Sequence, residues 1–162
     1  MKTKQEEKYS VGIAGEHFVA GELLRRGVLA SVTMGNAKKA NVIVRNLESS
    51  KIQVIEVKSS SRKQWVVGKI PESNDTRIWV FVDIPKEPEN SPAYYVCTAK
   101  ELYEILTKKD KEYSEKYKKR HHGEIFKGRG VIRLELTEAE DNGFKNQWNK
   151  ILERLSPQTI NL

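Results

Sequence analysis

The spacing of apolar residues near the start of the chain predicts a helix from about Ser10 to Arg26. Ser10 is a candidate N-cap, and Gly27 lies just past the end as a C-terminal glycine. Glu16 falls near the middle of the apolar arc, where an ionised carboxylate needs a positive partner such as a metal or a lysine. The alternative is that Glu16 lies at the rim and pairs with a lysine or arginine. The arc comprises Ile13, Val19, Ala20, Leu23 and Leu24.

Runs rich in β-branched and aromatic residues predict strands near positions 29–34, 41–45, 51–58, 78–84, 93–97 and 131–136. The first three of these strands are expected to form a β-meander. Helical spacing returns at about 100–119 and 144–155. We find neither an internal repeat nor a Gly/Ser-rich linker, so we expect residues 1–162 to form a single α/β domain.

The third strand combines an acid and a base at its end. Side chains alternate along a strand, which places Glu56 and Lys58 on one face and Ile55 and Val57 on the other. Because both faces are mainly apolar, we expect this strand in the centre of a sheet. Glu-x-Lys is a weak motif by itself, and its position after a hairpin and a helix with an inward acid gives it weight.

This arrangement resembles the PD-(D/E)XK nuclease superfamily, which includes type II restriction enzymes and archaeal Holliday junction resolvases. Glu16, the run Asn41-Val42-Ile43-Val44 and the run Val54-Ile55-Glu56-Val57-Lys58 carry the resemblance over about the first sixty residues. It implies a restriction endonuclease-like core, a central mixed β-sheet flanked by helices. It also implies that Glu56, Lys58 and Glu16 are catalytic, with Mg²⁺ or Mn²⁺ as cofactor.

This chain departs from the family pattern at the position of the first metal ligand. Family members usually carry Asp at the start of the second strand, where this chain has Asn41, so the implied metal set is Glu56, Asn41 and Glu16. An Asn oxygen brings no charge, which weakens binding of a hard cation. A metal-dependent DNA endonuclease, weakened at this position, and a catalytically silent nucleic-acid-binding or protein-interaction domain both stay open. A third alternative is an α/β domain with no nucleic-acid role.

Charge adds a candidate partner. The chain carries 29 Lys and Arg against 22 Asp and Glu, a net charge of +7 that attracts DNA, although solvated lysines give many soluble proteins this charge. The candidate nucleic-acid-binding residues are Lys38, Lys39, Arg62, Lys63 and Trp65. An exposed Trp65 could stack on an unpaired base, whereas a Trp in such a run is more often part of the core. The basic run from Lys108 to Arg120 is either a phosphate-binding surface or a solvated helix.

The remaining signals concern compartment and assembly. No apolar run approaches the roughly 20 residues that span a bilayer, so we expect no membrane association. The polar first ten residues and the lone Cys97 favour the cytoplasm. Walker, CxxC, GxSxG and dinucleotide motifs are absent from the sequence, which removes several common enzyme classes. A homodimer is implied by the resemblance, because many nucleases of the superfamily cut both strands as dimers.

Overall fold

The structure, a computed structural model, describes residues 3–33, 41–122, 124–125 and 131–156. Its elements are, in order, α1 (Lys4–Leu24), β1 (Leu29–Val32), β2 (Val42–Arg45), β3 (Ile52–Ser60), β4 (Gln64–Gly68), β5 (Ile78–Asp83), β6 (Ala93–Thr98), α2 (Ala99–Arg120), β7 (Ile132–Glu135), α3 (Leu136–Asp141) and α4 (Asn149–Leu155). The mixed α/β class is therefore confirmed. The strand β4 and the helix α3 were not predicted, and α4 begins at Asn149 rather than near Phe144.

The first helix begins six residues earlier than its apolar spacing indicated. Thr3 is the N-cap: its side chain accepts from the Glu6 N–H at 3.2 Å, and its own N–H donates to the Glu6 carboxylate at 2.6 Å. This capping box satisfies two N–H groups of the first turn, so the polar residues before Ser10 continue the helix. The prediction of Ser10 as N-cap was wrong. Gly27 has a φ of 82° in the turn that ends α1, as its position predicted.

Five strands form one mixed sheet in the order β1-β2-β3-β5-β6. β1, β2 and β3 make the expected antiparallel meander, and β5 then runs parallel to β3. In that parallel pair Glu56 lies opposite Trp79 and Lys58 lies opposite Phe81. β6 returns antiparallel to β5. β3 is thus the central strand, in agreement with its two apolar faces.

Each face of the sheet is covered by a separate hydrophobic core. On one face α1 and α4 pack on alternate residues of the strands, and this core includes Val19 and Leu23 of α1, Ile151 of α4, and Ile55, Val57 and Val80 of the sheet. On the other face β4, α2 and α3 pack on the second set of strand residues, and this core includes Trp65 of β4, Leu102 of α2, Ala139 of α3, and Trp79, Phe81 and Tyr95 of the sheet. Because registered side chains of paired strands share a face, Glu56 and Lys58 belong to the face of Trp79 and Phe81.

The chain leaves the main sheet directly after β3. β4 pairs with β7 in a second, two-stranded antiparallel sheet. Trp65 of β4 anchors this small sheet, because its ring centroid lies 5.4 Å from that of Phe81 and 5.6 Å from that of Tyr95. None of the helices in the described ranges is both long and apolar enough to cross a bilayer.

Candidate functional site

Asn41 connects the first helix to the central strand. It immediately precedes β2, and its backbone N–H donates to the Ile55 carbonyl at 3.3 Å. Its side-chain Nδ2 lies 2.9 Å from Oε1 of Glu16, and its Oδ1 accepts from the Val57 N–H at 2.9 Å. The side chain therefore extends the hydrogen bonding of β2 with β3 by one more acceptor, and its amide nitrogen donates to the acid on α1.

The two partners fix the orientation of the Asn41 carboxamide. The Val57 N–H can only donate, so the atom that faces it must be the oxygen. Ionised Glu16 can only accept, so the atom that faces it must be the amide nitrogen. Glu16 is 8% exposed and lies on the buried side of α1, as the helical wheel predicted. Asn41 thus supplies a neutral donor to a buried carboxylate.

A glycine allows α1 to approach β3 at this level. A Cβ added to Gly15 would lie 1.7 Å from Oγ of Ser59, so the helix and strand are closer here than any side chain permits. Ser59 is on the same face of β3 as Val57, because residues two apart share a face. The close contact between Gly15 and Ser59 therefore brings the neighbouring Glu16 within reach of Asn41.

Glu56 and Lys58 form an ion pair on the opposite face. Lys58 Nζ lies 2.8 Å from Glu56 Oε1, and the guanidinium of Arg77 lies 3.7 Å from Glu56 Oε2. Both cations also lie over the Trp79 ring, with Lys58 Nζ 5.7 Å and Arg77 Cζ 5.6 Å from its centroid. The acid and base predicted to work together are in contact, and Arg77, which immediately precedes β5, joins them.

Asp75 orients this arginine. Its carboxylate accepts from Nε of Arg77 at 2.8 Å, binds a second guanidinium nitrogen, and accepts from the Arg77 backbone N–H at 2.9 Å. The side-chain hydrogen bond from Arg77 lowers the pKa of Asp75 below its ordinary 3.8. Sequence reasoning missed Asp75 and Arg77, since a carboxylate two residues before an arginine is common. Only the parallel pairing of β3 with β5 brings them to Glu56.

The predicted site residues converge on one segment of β3 from its two faces. Glu16 reaches the Val57 backbone through Asn41 on the α1 face, whereas the Glu56 and Lys58 side chains point to the other face. Two further positions, Lys38 and Lys39, lie outside the described residues. The side chains of the four central residues therefore form two pairs, Glu16 with Asn41 and Glu56 with Lys58.

This arrangement limits which side chains could bind the expected metal ion. Glu16 belongs to the helix that covers one face of the sheet and the Glu56 side chain lies on the other face, and the one side-chain oxygen of Asn41 already accepts the Val57 N–H. The described part of the chain contains no group of three His, Cys, Asp or Glu side chains that could hold a metal ion. Hard divalent cations are bound chiefly by several carboxylate oxygens. With Asn at position 41, this set supplies only two carboxylates, Glu16 and Glu56, so it is short of charge for such a cation, and Mg²⁺ or Mn²⁺ stays a prediction.

A cleft of about 430 Å³ opens beside Glu56, between the loop that precedes β5 and the sheet. Its lining includes Glu56, Lys69, Glu72, Asp75, Arg77 and Trp79. Three carboxylates and two cations share this space. The mixed charge does not by itself attract a polyanion, because the fields of opposite charges cancel at short range.

The predicted nucleic-acid-binding residues after β3 divide into two groups. Arg62 and Lys63 are exposed in the short turn between β3 and β4, where Lys63 has a φ of 55°. Trp65 is 1% exposed, and its indole N–H donates to the Val82 carbonyl at 2.9 Å. Its ring faces are covered by Phe81 and Tyr95, so stacking of Trp65 on a base was a wrong prediction and the residue belongs to the core.

Comparison of the chain with models of protein families, with curated proteins and with solved structures gives no significant match. The class of protein that the fold defines is a mixed α/β protein with a five-stranded sheet.

Proposed function

We propose that this chain is a nucleic-acid-binding domain of the PD-(D/E)XK nuclease type in which Asn41 has disarmed the cleavage centre. The observation that carries the proposal is the position of the Asn41 carboxamide, which is bonded both to Glu16 and to the backbone of β3 at 2.9 Å. This side chain takes the place of the Asp that the resemblance requires at the start of the second strand.

The chemistry of the position supports a disarmed centre. An Asp at position 41 would place a second carboxylate against Glu16, and two carboxylates at that distance need a cation or a shared proton between them. Asn41 removes this need, because its amide donates to Glu16 and its oxygen still accepts the Val57 N–H. Glu56 is likewise compensated by Lys58 and Arg77. Both acids are therefore stabilised by the protein itself.

Three features favour the nuclease type as the origin of this site. Asn41 lies directly before the second strand of the sheet, and Glu56 and Lys58 share one face of the third strand, as the resemblance implies. Glu16 is the buried acid of the first helix. DNA is the proposed ligand, supported by the net charge of +7 and by the exposed Arg62 and Lys63.

A metal-dependent endonuclease that is active as it stands is the second candidate. It is favoured by the contact between Glu56 and Lys58, an acid and a base held at 2.8 Å beside an open cleft. The two candidates differ in one measurable property. The disarmed domain binds DNA without cutting it, whereas the active enzyme cuts DNA when Mg²⁺ or Mn²⁺ is added.

A plasmid-cleavage assay separates them. Supercoiled plasmid is incubated with the wild-type chain, with Asn41→Asp and with Asn41→Asp/Lys58→Met, each with Mg²⁺, with Mn²⁺ and with EDTA. We expect nicking by Asn41→Asp alone, lost in EDTA and lost in the double variant, in which the base is replaced by an uncharged side chain of similar length. The wild-type chain is expected to bind the plasmid with an affinity that falls as salt rises.

Other results would change the assignment. Metal-dependent cutting by the wild-type chain would make the second candidate correct. Cleavage by Asn41→Asp that survives the added Lys58→Met substitution would indicate a contaminating nuclease or a different site. A wild-type chain that neither binds nor cuts DNA would leave a mixed α/β domain with no nucleic-acid role, and the proposal would fall.

A further inference from the structure

The second half of α2 contributes no buried side chain to the hydrophobic cores. The helix has 22 residues, and its buried side chains are Ala99, Leu102 and Leu106, all in the first half. From residue 107 to Arg120 the helix has no buried side chain. At about 1.5 Å per residue this segment is about 20 Å long. We call residues 107–120 the α2 arm.

The arm carries much of the positive charge of the chain. It contains seven Lys and Arg against three Asp and Glu, a net charge of +4 out of the +7 of the whole chain. The last five residues, from Lys116 to Arg120, include four basic residues and no acid. Six of the basic side chains are exposed: Lys108, Lys111, Lys116, Lys118, Lys119 and Arg120.

These six side chains are not used in pairing with the described part of the chain. Lys108 precedes Glu112 by four residues, a spacing at which ion pairs commonly support a solvated helix, yet no ion pair joins them. In the described residues the arm has a single ion-paired cation, Lys109, which lies 2.8 Å from Glu138. The exposed cations of the arm are therefore available to an external anion.

Lys109 also fixes the base of the arm beside the turn that follows β3. Its Nζ donates to the Arg133 carbonyl of β7 at 3.1 Å as well as to Glu138 of α3. The Leu136 N–H, at the start of α3, donates to the Lys63 carbonyl at 2.9 Å. A continuous series of contacts thus links the arm to the exposed turn of Arg62 and Lys63.

We propose that the α2 arm binds the phosphate backbone of duplex DNA, without base selectivity, as a surface separate from the Asn41 site. This inference rests on the proposed function, because it names where the DNA is held. Duplex DNA presents a dense line of negative charge, and each Lys or Arg that neutralises a phosphate gains affinity through release of bound counterions. Exposed cations on a helix with few competing acids suit this partner.

The test compares two variants of equal net charge. The arm variant carries Lys116→Gln, Lys118→Gln, Lys119→Gln and Arg120→Gln. The control variant carries four substitutions at exposed lysines outside the arm: Lys4→Gln, Lys8→Gln, Lys86→Gln and Lys145→Gln. Binding of each full chain to a fluorescein-labelled duplex is measured by anisotropy at several salt concentrations, and far-UV circular dichroism checks that the helices persist.

We expect the arm variant to lose at least about tenfold in affinity, and its slope of log K against log salt to fall by about 0.9 for each phosphate contact removed. The control variant should keep its affinity within about threefold, because charge remote from the DNA is largely screened at physiological salt. This difference would establish the arm as the contact surface.

Equal losses in both variants would overturn the role of the arm while the proposed function stands, since cleavage by Asn41→Asp tests that function independently. Wild-type binding to vesicles of anionic phospholipid, with none to the duplex, would overturn both in favour of a membrane surface. A wild-type chain that binds neither probe would likewise overturn both.

Discussion

The Asn41 carboxamide donates to the Glu16 carboxylate at 2.9 Å, and this bond joins the start of β2 to the middle of α1 across 25 residues of sequence. Asn41→Ala removes it together with the acceptor of the Val57 N–H. We expect the free energy of unfolding to fall by about 1–3 kcal/mol, the typical cost of leaving a buried polar group unsatisfied. Urea unfolding followed by circular dichroism measures this change.

Asn74→Ala provides the control for this substitution, because Asn74 is exposed in the loop before β5. We expect its effect to stay within about 0.5 kcal/mol, as for most surface substitutions. Equal stability of Asn41→Ala and the wild-type chain would show that the Asn41 bridge contributes nothing to folding.

Asn41→Asp should make stability depend on divalent metal. The variant faces Glu16 with a second carboxylate, and like charges at that distance destabilise the folded state unless a cation lies between them. We expect a lower melting temperature than the wild type in EDTA and a recovery on addition of Mg²⁺, with no Mg²⁺ effect on the wild type. Differential scanning calorimetry in both buffers tests this. If the melting temperature of the variant does not change with Mg²⁺, the result would argue against a metal position beside Glu16.

Gly15 and Gly21 provide a matched pair on α1. A Cβ at Gly15 would lie 1.7 Å from Ser59 Oγ, whereas one at Gly21 meets nothing within 4 Å. Gly15→Ala should therefore destabilise the chain by roughly 1–3 kcal/mol through overpacking. Gly21→Ala should stabilise it by about 0.5–1 kcal/mol, because Ala favours the helix. The sign of the two changes in urea midpoint is the test, and two changes of the same sign would contradict it.

Asp75 should contribute stability at neutral pH that is lost in acid. Its side-chain hydrogen bond with Arg77 lowers its pKa below 3.8 in the folded chain. A carboxylate with a depressed folded pKa stabilises above its unfolded pKa and loses that contribution as pH falls through the folded value. The stability gap between the wild type and Asp75→Asn should therefore be full at pH 6 and shrink below about pH 4. A gap independent of pH would contradict the ion pair.

Cys97 should be inert to thiol reagents in the folded chain. It is fully buried, and burial raises its pKa above the ordinary value, so little thiolate forms near neutral pH. We expect no reaction with a disulfide reagent until denaturant unfolds the chain, after which labelling should be complete. Rapid labelling under native conditions would show that β6 opens locally.

Local pattern was sufficient to predict most elements of this fold. β2, β3, β5 and β6 were predicted to within about two residues, because β-branched and aromatic runs bounded by turn residues act over short distances. The central position of β3 followed from its two apolar faces. The start of α1 was missed, although the Thr3 and Glu6 spacing of a capping box is visible in the sequence.

The residue types of the candidate site also followed from sequence. The burial of Glu16 came from helical periodicity, and the contact of Glu56 with Lys58 came from the two-residue repeat of a strand. Both rules depend only on the geometry of one element. They could not indicate that Trp65 pairs with Leu134 of β7 in a second sheet, because that depends on a pairing between segments about seventy residues apart.

Only the tertiary structure decided how these residues meet. The parallel pairing of β3 with β5 brought Arg77 to Glu56, and the close approach of α1 at Gly15 brought Glu16 to Asn41. The sequence by itself determined which residues carry charge and which face of its own element each occupies. The division of the acids between the two faces of the sheet required the packing of helices on both sides, which no local rule specifies.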